Sequence, residues 1–130
     1  MIQAVRDTPE KDTGHSFEDY FKRAISPMVV LYLLSLQPMY VYQLSQELEK
    51  RSEGQYTTSF LYPVLYRLQQ QGLVEEVEKQ VSEENRLRNY YGITPAGKRR
   101  LENLLLDFDR MVRSVWKITG ERPNGEGADR

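Results

Sequence analysis

Between residues 95 and 118, Leu101, Leu104, Phe108, Met111, Val115 and Ile118 recur in alternating steps of three and four. Leu105 and Val112 widen the row into a stripe of about three apolar residues per heptad, the pattern of a helix with one face to bury. Thr94 and Pro95 precede it as a cap followed by proline at the first helical position. At ~1.5 Å per residue the helix would be roughly 36 Å long. A chain of 130 residues has room for one domain with a single modest core, which is too small to cover so long an apolar face. The stripe therefore predicts a homodimer interface of Leu101, Leu104, Leu105, Phe108, Met111, Val112 and Val115. The alternative is a helix folded back on its own domain. Phe17 and Phe21, helically spaced with Tyr20 and Ile25 in "SFEDYFKRAI", would join the interface from a short helix of the partner.

A second stretch, "TTSFLYPVLYRLQQQGLVEEV" at 57–77, carries a proline inside a helical pattern. Pro63 would clash with the carbonyl four residues back, at Ser59. The conflict disappears if Ser59 is the N-cap or if the helix starts slightly later, so Pro63 marks a first turn. Leu61, Val64, Leu65 and Leu68 then face inward, while Tyr62, Tyr66 and Gln69 share the opposite face. Thr57, Thr58 and Ser59 crowd the N-terminus, where free N–H groups and the helix dipole favour an anion such as phosphate. The plainer reading is that these hydroxyls only cap and the tyrosine rings only pack. Gly72 is placed to end the helix.

Elsewhere, Ser26 and Pro27 read as a cap-then-proline start for an all-round apolar helix from Met28 to Leu36, the centre of the core. A further helix is expected from Val41 to Arg51, with Leu44 and Leu48 inward. "LVEEVEKQV" and "RLRNYYGIT" fit two strands joined by polar "SEEN". Residues 1–14 and 119–130 read as a disordered arm and tail. The predicted fold class is mainly α with a small β-hairpin: a winged helix-turn-helix domain over 15–94, then a dimerisation helix over 95–118. In that layout the second helix of the pair enters the DNA major groove and the hairpin loop lies along the backbone.

Other function classes find little support. The absence of cysteine excludes disulfides, thiolate chemistry and Cys-bearing zinc sites. His15 is the single histidine and lies in the polar arm, and no glycine-rich phosphate loop occurs. The acid pairs at 75–76 and 83–84 are better read as solvated than catalytic. No catalytic residue, metal or cofactor is expected. The longest apolar run, "PMVVLYLLSL", is about half of a bilayer span, and the first residues lack the apolar core of a secretory signal. A cytoplasmic address is expected, with no membrane partner. The net charge of −1 does not advertise nucleic-acid binding, so such binding would rest on local presentation.

From about Val29 to Leu101 the chain resembles the PadR family of bacterial transcriptional regulators, in the short form with a single C-terminal helix. The matching pieces are "LYLLSLQPMYVYQL" with its Pro-x-x-x-Tyr turn, "SFLYPVLYRLQQQGLVE", and "RLRNYYGITPAGKRRL". The resemblance implies a homodimer built on the C-terminal helix that represses a nearby operon, often with relief by a small ligand. On this chain the DNA-contacting set would be Tyr42, Thr57, Thr58, Ser59, Tyr62, Pro63, Tyr66, Arg67, Arg86, Arg88 and Asn89. A two-fold dimer calls for a palindromic double-stranded operator, with paired helices about 34 Å apart. Alignment places Phe108 where multidrug-binding members line a pore between subunits, so Phe108, Met111 and Trp116 would meet a small hydrophobic or aromatic effector. Asp107 and Asp109 flank Phe108 and would suit a cation; the plainer readings are solvated charges for the two aspartates, core for Phe108 and packing for Trp116.

Departures from the family pattern carry expectations of their own. Val41 stands where glycine is common, and "NRLRNYY" keeps Arg86 and Arg88 but loses the glycine, proline and lysine of the usual wing. Asn85 can still take the left-handed turn. Between Gln55 and Tyr91, Arg67, Lys79, Arg86 and Arg88 face Glu75, Glu76, Glu78, Glu83 and Glu84. The wing is acidic, which predicts weaker, strongly salt-sensitive DNA binding. The alternative function is a winged-helix module that binds protein and has lost DNA affinity.

Overall fold

The computed structural model describes residues 16–57, 60–81 and 84–120. The chain order is α1 (Phe17–Leu36), α2 (Val41–Arg51), α3 (Leu61–Gln70), β1 (Val74–Val81), β2 (Leu87–Ile93) and α4 (Pro95–Thr119). Four helices and an antiparallel hairpin make the expected winged layout. The arm expected over 1–14, the tail beyond residue 120, Thr58 and Ser59 lie outside the described residues.

The first correction concerns α1. It is one continuous 20-residue helix with Pro27 inside it, not a short helix followed by a second start at Ser26. The true cap is Ser16, whose Oγ accepts from the Asp19 N–H at 3.1 Å. Ser26 is fully buried. Its hydroxyl donates back to the Lys22 carbonyl and shares a hydrogen bond with the Tyr56 hydroxyl. An interior proline costs about 3 kcal/mol, while each fully buried aliphatic side chain returns about 1.5–3 kcal/mol. Met28, Val30, Leu31, Leu33 and Leu34 are all buried directly after the proline, so packing outweighs the local break signal.

Around α1 the core closes with Leu44 and Leu48 from α2, Leu61, Val64, Leu65 and Leu68 from α3, and Leu73 and Val74 at the hairpin root. In α3, Phe60 is the N-cap and Pro63 the third residue, so the later of the two possible starts holds and Ser59 is not the cap. At its other end the Leu73 N–H bonds the Leu68 carbonyl and the Gly72 N–H bonds that of Gln69, with Gly72 at φ +75°. This is a Schellman stop, and it points the chain straight into β1.

The hairpin pairs Val74 with Ile93 through Val81 with Leu87, interrupted by a bulge between Glu76 and Glu78. A side chain at Gly92 would strike Val77 Cγ1 at 2.9 Å, so glycine there lets the bulged valine fold across the strand. Asn85 takes the left-handed conformation, as expected. One rung was not expected. Met39, between α1 and α2, exchanges both backbone hydrogen bonds with Tyr91 at 3.1 and 2.9 Å.

Thr94 caps α4 by accepting from the Gly97 N–H at 3.0 Å, and its own hydroxyl donates to the Gly72 carbonyl at 2.7 Å. A Cβ on Gly97 would meet the Leu73 carbonyl at 2.2 Å, so α4 leaves the body at the closest backbone approach available. Leu101, expected in the dimer stripe, is buried in the chain's own core, with Leu104 leaning on it. The reason is position: the first turns of α4 run over the body before the helix departs from it.

Candidate nucleic-acid interface

The buried row Leu61, Val64, Leu65 and Leu68 fixes the rotation of α3. Tyr62 and Tyr66 consequently stand outward, 66% and 63% exposed, with Arg67 and Pro63 exposed beside them. Tyr66 accepts from the Gln70 side chain at 2.9 Å, one turn on. Tyr42 projects from the first turn of α2, half exposed. Its helix is started by Tyr40, whose N–H donates to Gln43 Oε1 at 3.1 Å. The first turns of α2 and α3 and the strand β2 enclose a cleft of about 450 Å³, lined among others by Tyr42, Ser45, Tyr62, Arg88 and Asn89.

Arg88 sits in this cleft and does not project from it. Its guanidinium lies 5.1 Å over the Tyr40 ring, which meets Tyr90 edge-on at 5.2 Å. Glu84 is 4.0 Å from one terminal nitrogen, and Nε is buried with no hydrogen-bond partner among the described residues. Arg88 is thus a fixed positive charge in the cleft wall, whereas Arg86 is exposed near the hairpin tip. Burial pushes the Tyr91 phenol up, with Glu76 and Tyr62 adding to the effect.

The predicted contact set is therefore partly gathered. Tyr42, Tyr62, Arg88 and Asn89 share the cleft, and Tyr66 and Arg67 continue the surface along α3. Thr57 is exposed outside the cleft lining, its carbonyl accepting from Lys22 Nζ at 3.2 Å, and Thr58 and Ser59 are not described. Sequence reading missed Tyr40 and Ser45. The turn residue Tyr40, two positions before Tyr42 at the start of α2, was the available signal for the first.

Along α4, Leu105, Phe108, Met111, Val115 and Ile118 remain exposed, with Val112 and Trp116 half-buried. Phe17, Tyr20 and Phe21 are exposed on α1, with Phe17 stacked on Phe21 at 6.1 Å. Asp107 and Asp109 are not idle anions beside Phe108. Arg110 pairs with the first at 3.1 Å and Arg113 with the second at 2.8 Å. Among the described residues no cluster of metal-ligating side chains occurs, and no helix is long and apolar enough to cross a membrane.

Comparison with known proteins agrees with this geometry. A PadR family transcriptional regulator from Eggerthella lenta is 27% identical, with TM-score 0.67 over 77% of this chain and 86% of its own. A PadR-like transcriptional regulator from Bacillus cereus is 25% identical, with TM-score 0.65 over 79% and 99%. A transcriptional regulator from Clostridium thermocellum, 23% identical, shares the fold at TM-score 0.67 over 75% and 96%. The curated proteins contain no match. The profile of the transcriptional regulator PadR-like family matches residues 30–103, more than half of the sequence, and with it the wing, the tyrosine-faced helix and the rod find one account: the chain belongs to the PadR-like family of transcriptional regulators, not to a family of enzymes.

Proposed function

We propose that the protein acts in the cytoplasm as a homodimer that binds a palindromic double-stranded operator and represses transcription, with release by a small hydrophobic or aromatic effector. The observation that carries the DNA contact is the rotation of α3. Its apolar row is fully spent on the core, so Tyr62, Tyr66 and Arg67 are presented outward beside the cleft holding Tyr42 and Arg88. The N-terminal turns of α3 enter the major groove and the hairpin follows the backbone. Support for the dimer comes from the uncovered α4 stripe beyond Leu104, joined by Phe17 and Phe21. Phe108, Met111 and Trp116 would line the effector pore between subunits.

A second reading, a protein-binding module without DNA affinity, draws on the exposed Glu75, Glu76 and Glu78 of β1. A mobility-shift assay on DNA upstream of the protein's own gene separates the two. A shifted band that weakens steeply with salt is expected. No band at low salt, with a protein partner co-purifying, decides for the second reading.

A further inference from the structure

Between α1 and α2 lies a cavity of about 390 Å³ that shares no lining residue with the cleft described above, within the range of about 300–1,000 Å³ usual for small-molecule sites. Ile25, Val29, Leu33 and Leu48 make its walls apolar. Glu47 and Arg51 stand at its edge, paired at 2.8 Å, so the edge offers neither a free anion nor a free cation. The half-exposed Tyr32 provides a hydroxyl.

Ser52 and Tyr56 complete the lining, and the DNA-contact scheme does not use Tyr56. Tyr56 is buried, and its hydroxyl is tied to Ser26 and the Lys22 carbonyl. Lys22 also holds the Thr57 carbonyl, and the Arg23 guanidinium lies 5.0 Å over the ring of Phe60, the N-cap of α3. Three contacts from one turn of α1 thus hold Tyr56, Thr57 and Phe60, the described residues nearest the start of α3. Tyr56 belongs to both the cavity and this fastening.

We propose that this cavity binds an uncharged, mainly apolar small molecule of aromatic-ring size carrying one hydrogen-bonding group, and that its occupancy shifts the start of α3 through Tyr56. The site is distinct from the pore between subunits, and its link to DNA rests on the function proposed above. A molecule filling the apolar walls favours whichever position of Tyr56 leaves it more room, and only that difference in affinity moves α3.

Indole serves as the probe, titrated into the full chain and followed by amide shifts in two-dimensional NMR. Shifts at Val29, Ser52, Tyr56 and Thr57 are expected, together with a fall in DNA affinity of about fivefold or more at saturation. Val29→Trp, which fills the cavity, removes those shifts. Ser26→Ala, outside the cavity lining, removes the tie on the Tyr56 hydroxyl; it keeps indole binding but loses most of the effect on DNA. Shifts confined to α4 around Phe108 and Trp116 overturn the site, as does unchanged indole binding by Val29→Trp. Should that variant not fold, nuclear Overhauser contacts between indole and the Val29 and Leu48 methyls decide on the wild-type chain, and their absence at saturation overturns the site. Binding here with unchanged DNA affinity overturns the link to α3. A chain that binds no DNA at all removes the proposed function, while the shift map still decides the cavity.

Discussion

The winged body and the rod that leaves it are built on opposite terms. In the body, the apolar rows of the helices find cover within the same chain: the middle of α1 is wrapped by α2, α3 and the hairpin root, and even the first turns of α4 surrender Leu101 to that core. Beyond Leu104 the rod keeps the same apolar period but among the described residues leaves most of it exposed, and the start of α1 shares that condition. Identical patterning thus carries two meanings. Near the body it records packing already made, and farther out it records packing that requires another surface.

Substitutions at matched apolar positions test that contrast most strongly. Leu31→Ala, at a fully buried position of α1, is expected to cost about 2–5 kcal/mol in urea unfolding. A loss below 1 kcal/mol, on the order of a surface change, would mean that the body is not the packed unit described. In the rod, Phe108→Glu with Val115→Glu should leave far-ultraviolet dichroism nearly intact but weaken self-association by about 2 kcal/mol or more, roughly thirtyfold. Sedimentation reads this directly, and a wild-type chain that sediments as a monomer breaks the second half of the comparison.

The junction is a middle case. Gly97→Ala places a methyl against the Leu73 carbonyl and is expected to cost about 1–3 kcal/mol in thermal unfolding. A neutral result would show that α4 can slide on the body. Arg67→Ala, on the exposed face of α3, should leave stability unchanged and lower the salt slope of DNA binding by about one.

The smallest effect is one of pH. Burial pushes the Tyr56 phenol up, against the pull of its Ser26 hydrogen bond and Lys22. The folded chain therefore holds this proton more tightly than the unfolded chain does. Its stabilising share is complete below the unfolded value near pH 10 and fades as pH rises through the higher folded one. Tyr56→Phe should flatten that alkaline loss in chemical denaturation between pH 9 and 11, about one unit either side of the free phenol; an unaltered slope would assign the loss to other groups.

Much of the layout could be read from residues alone, because the relevant signals were local. Thr94 and Pro95 announced the start of α4, Gly72 the end of α3, and the polar gap after Val81 the hairpin turn. Ser26 and Pro27 carry the same two-residue signal as Thr94 and Pro95, yet there the helix runs on. What separates them is long-range packing: Ser26 is buried against the hydroxyl of Tyr56, thirty residues away, and the apolar residues after Pro27 are buried in the core. Local sequence contains no trace of that. Leu101 was misplaced for a related reason: a period says which face is apolar, not which neighbour covers each turn. In the candidate interface, the outward face of Tyr62 and Tyr66 was legible from helical spacing, whereas the seating of Arg88 over Tyr40 comes with the Met39–Tyr91 rung, which joins segments far apart in the chain.

That rung has a bearing on how such a molecule can change over time. Because the base of the wing is stitched to the strand-like link ahead of α2, the tip can gain residues, lose them or reverse its charge without disturbing the aim of α3. If the proposed DNA contact holds, affinity for the phosphate backbone can then drift while the bases read stay the same, so closely related operators can be held with very different grips.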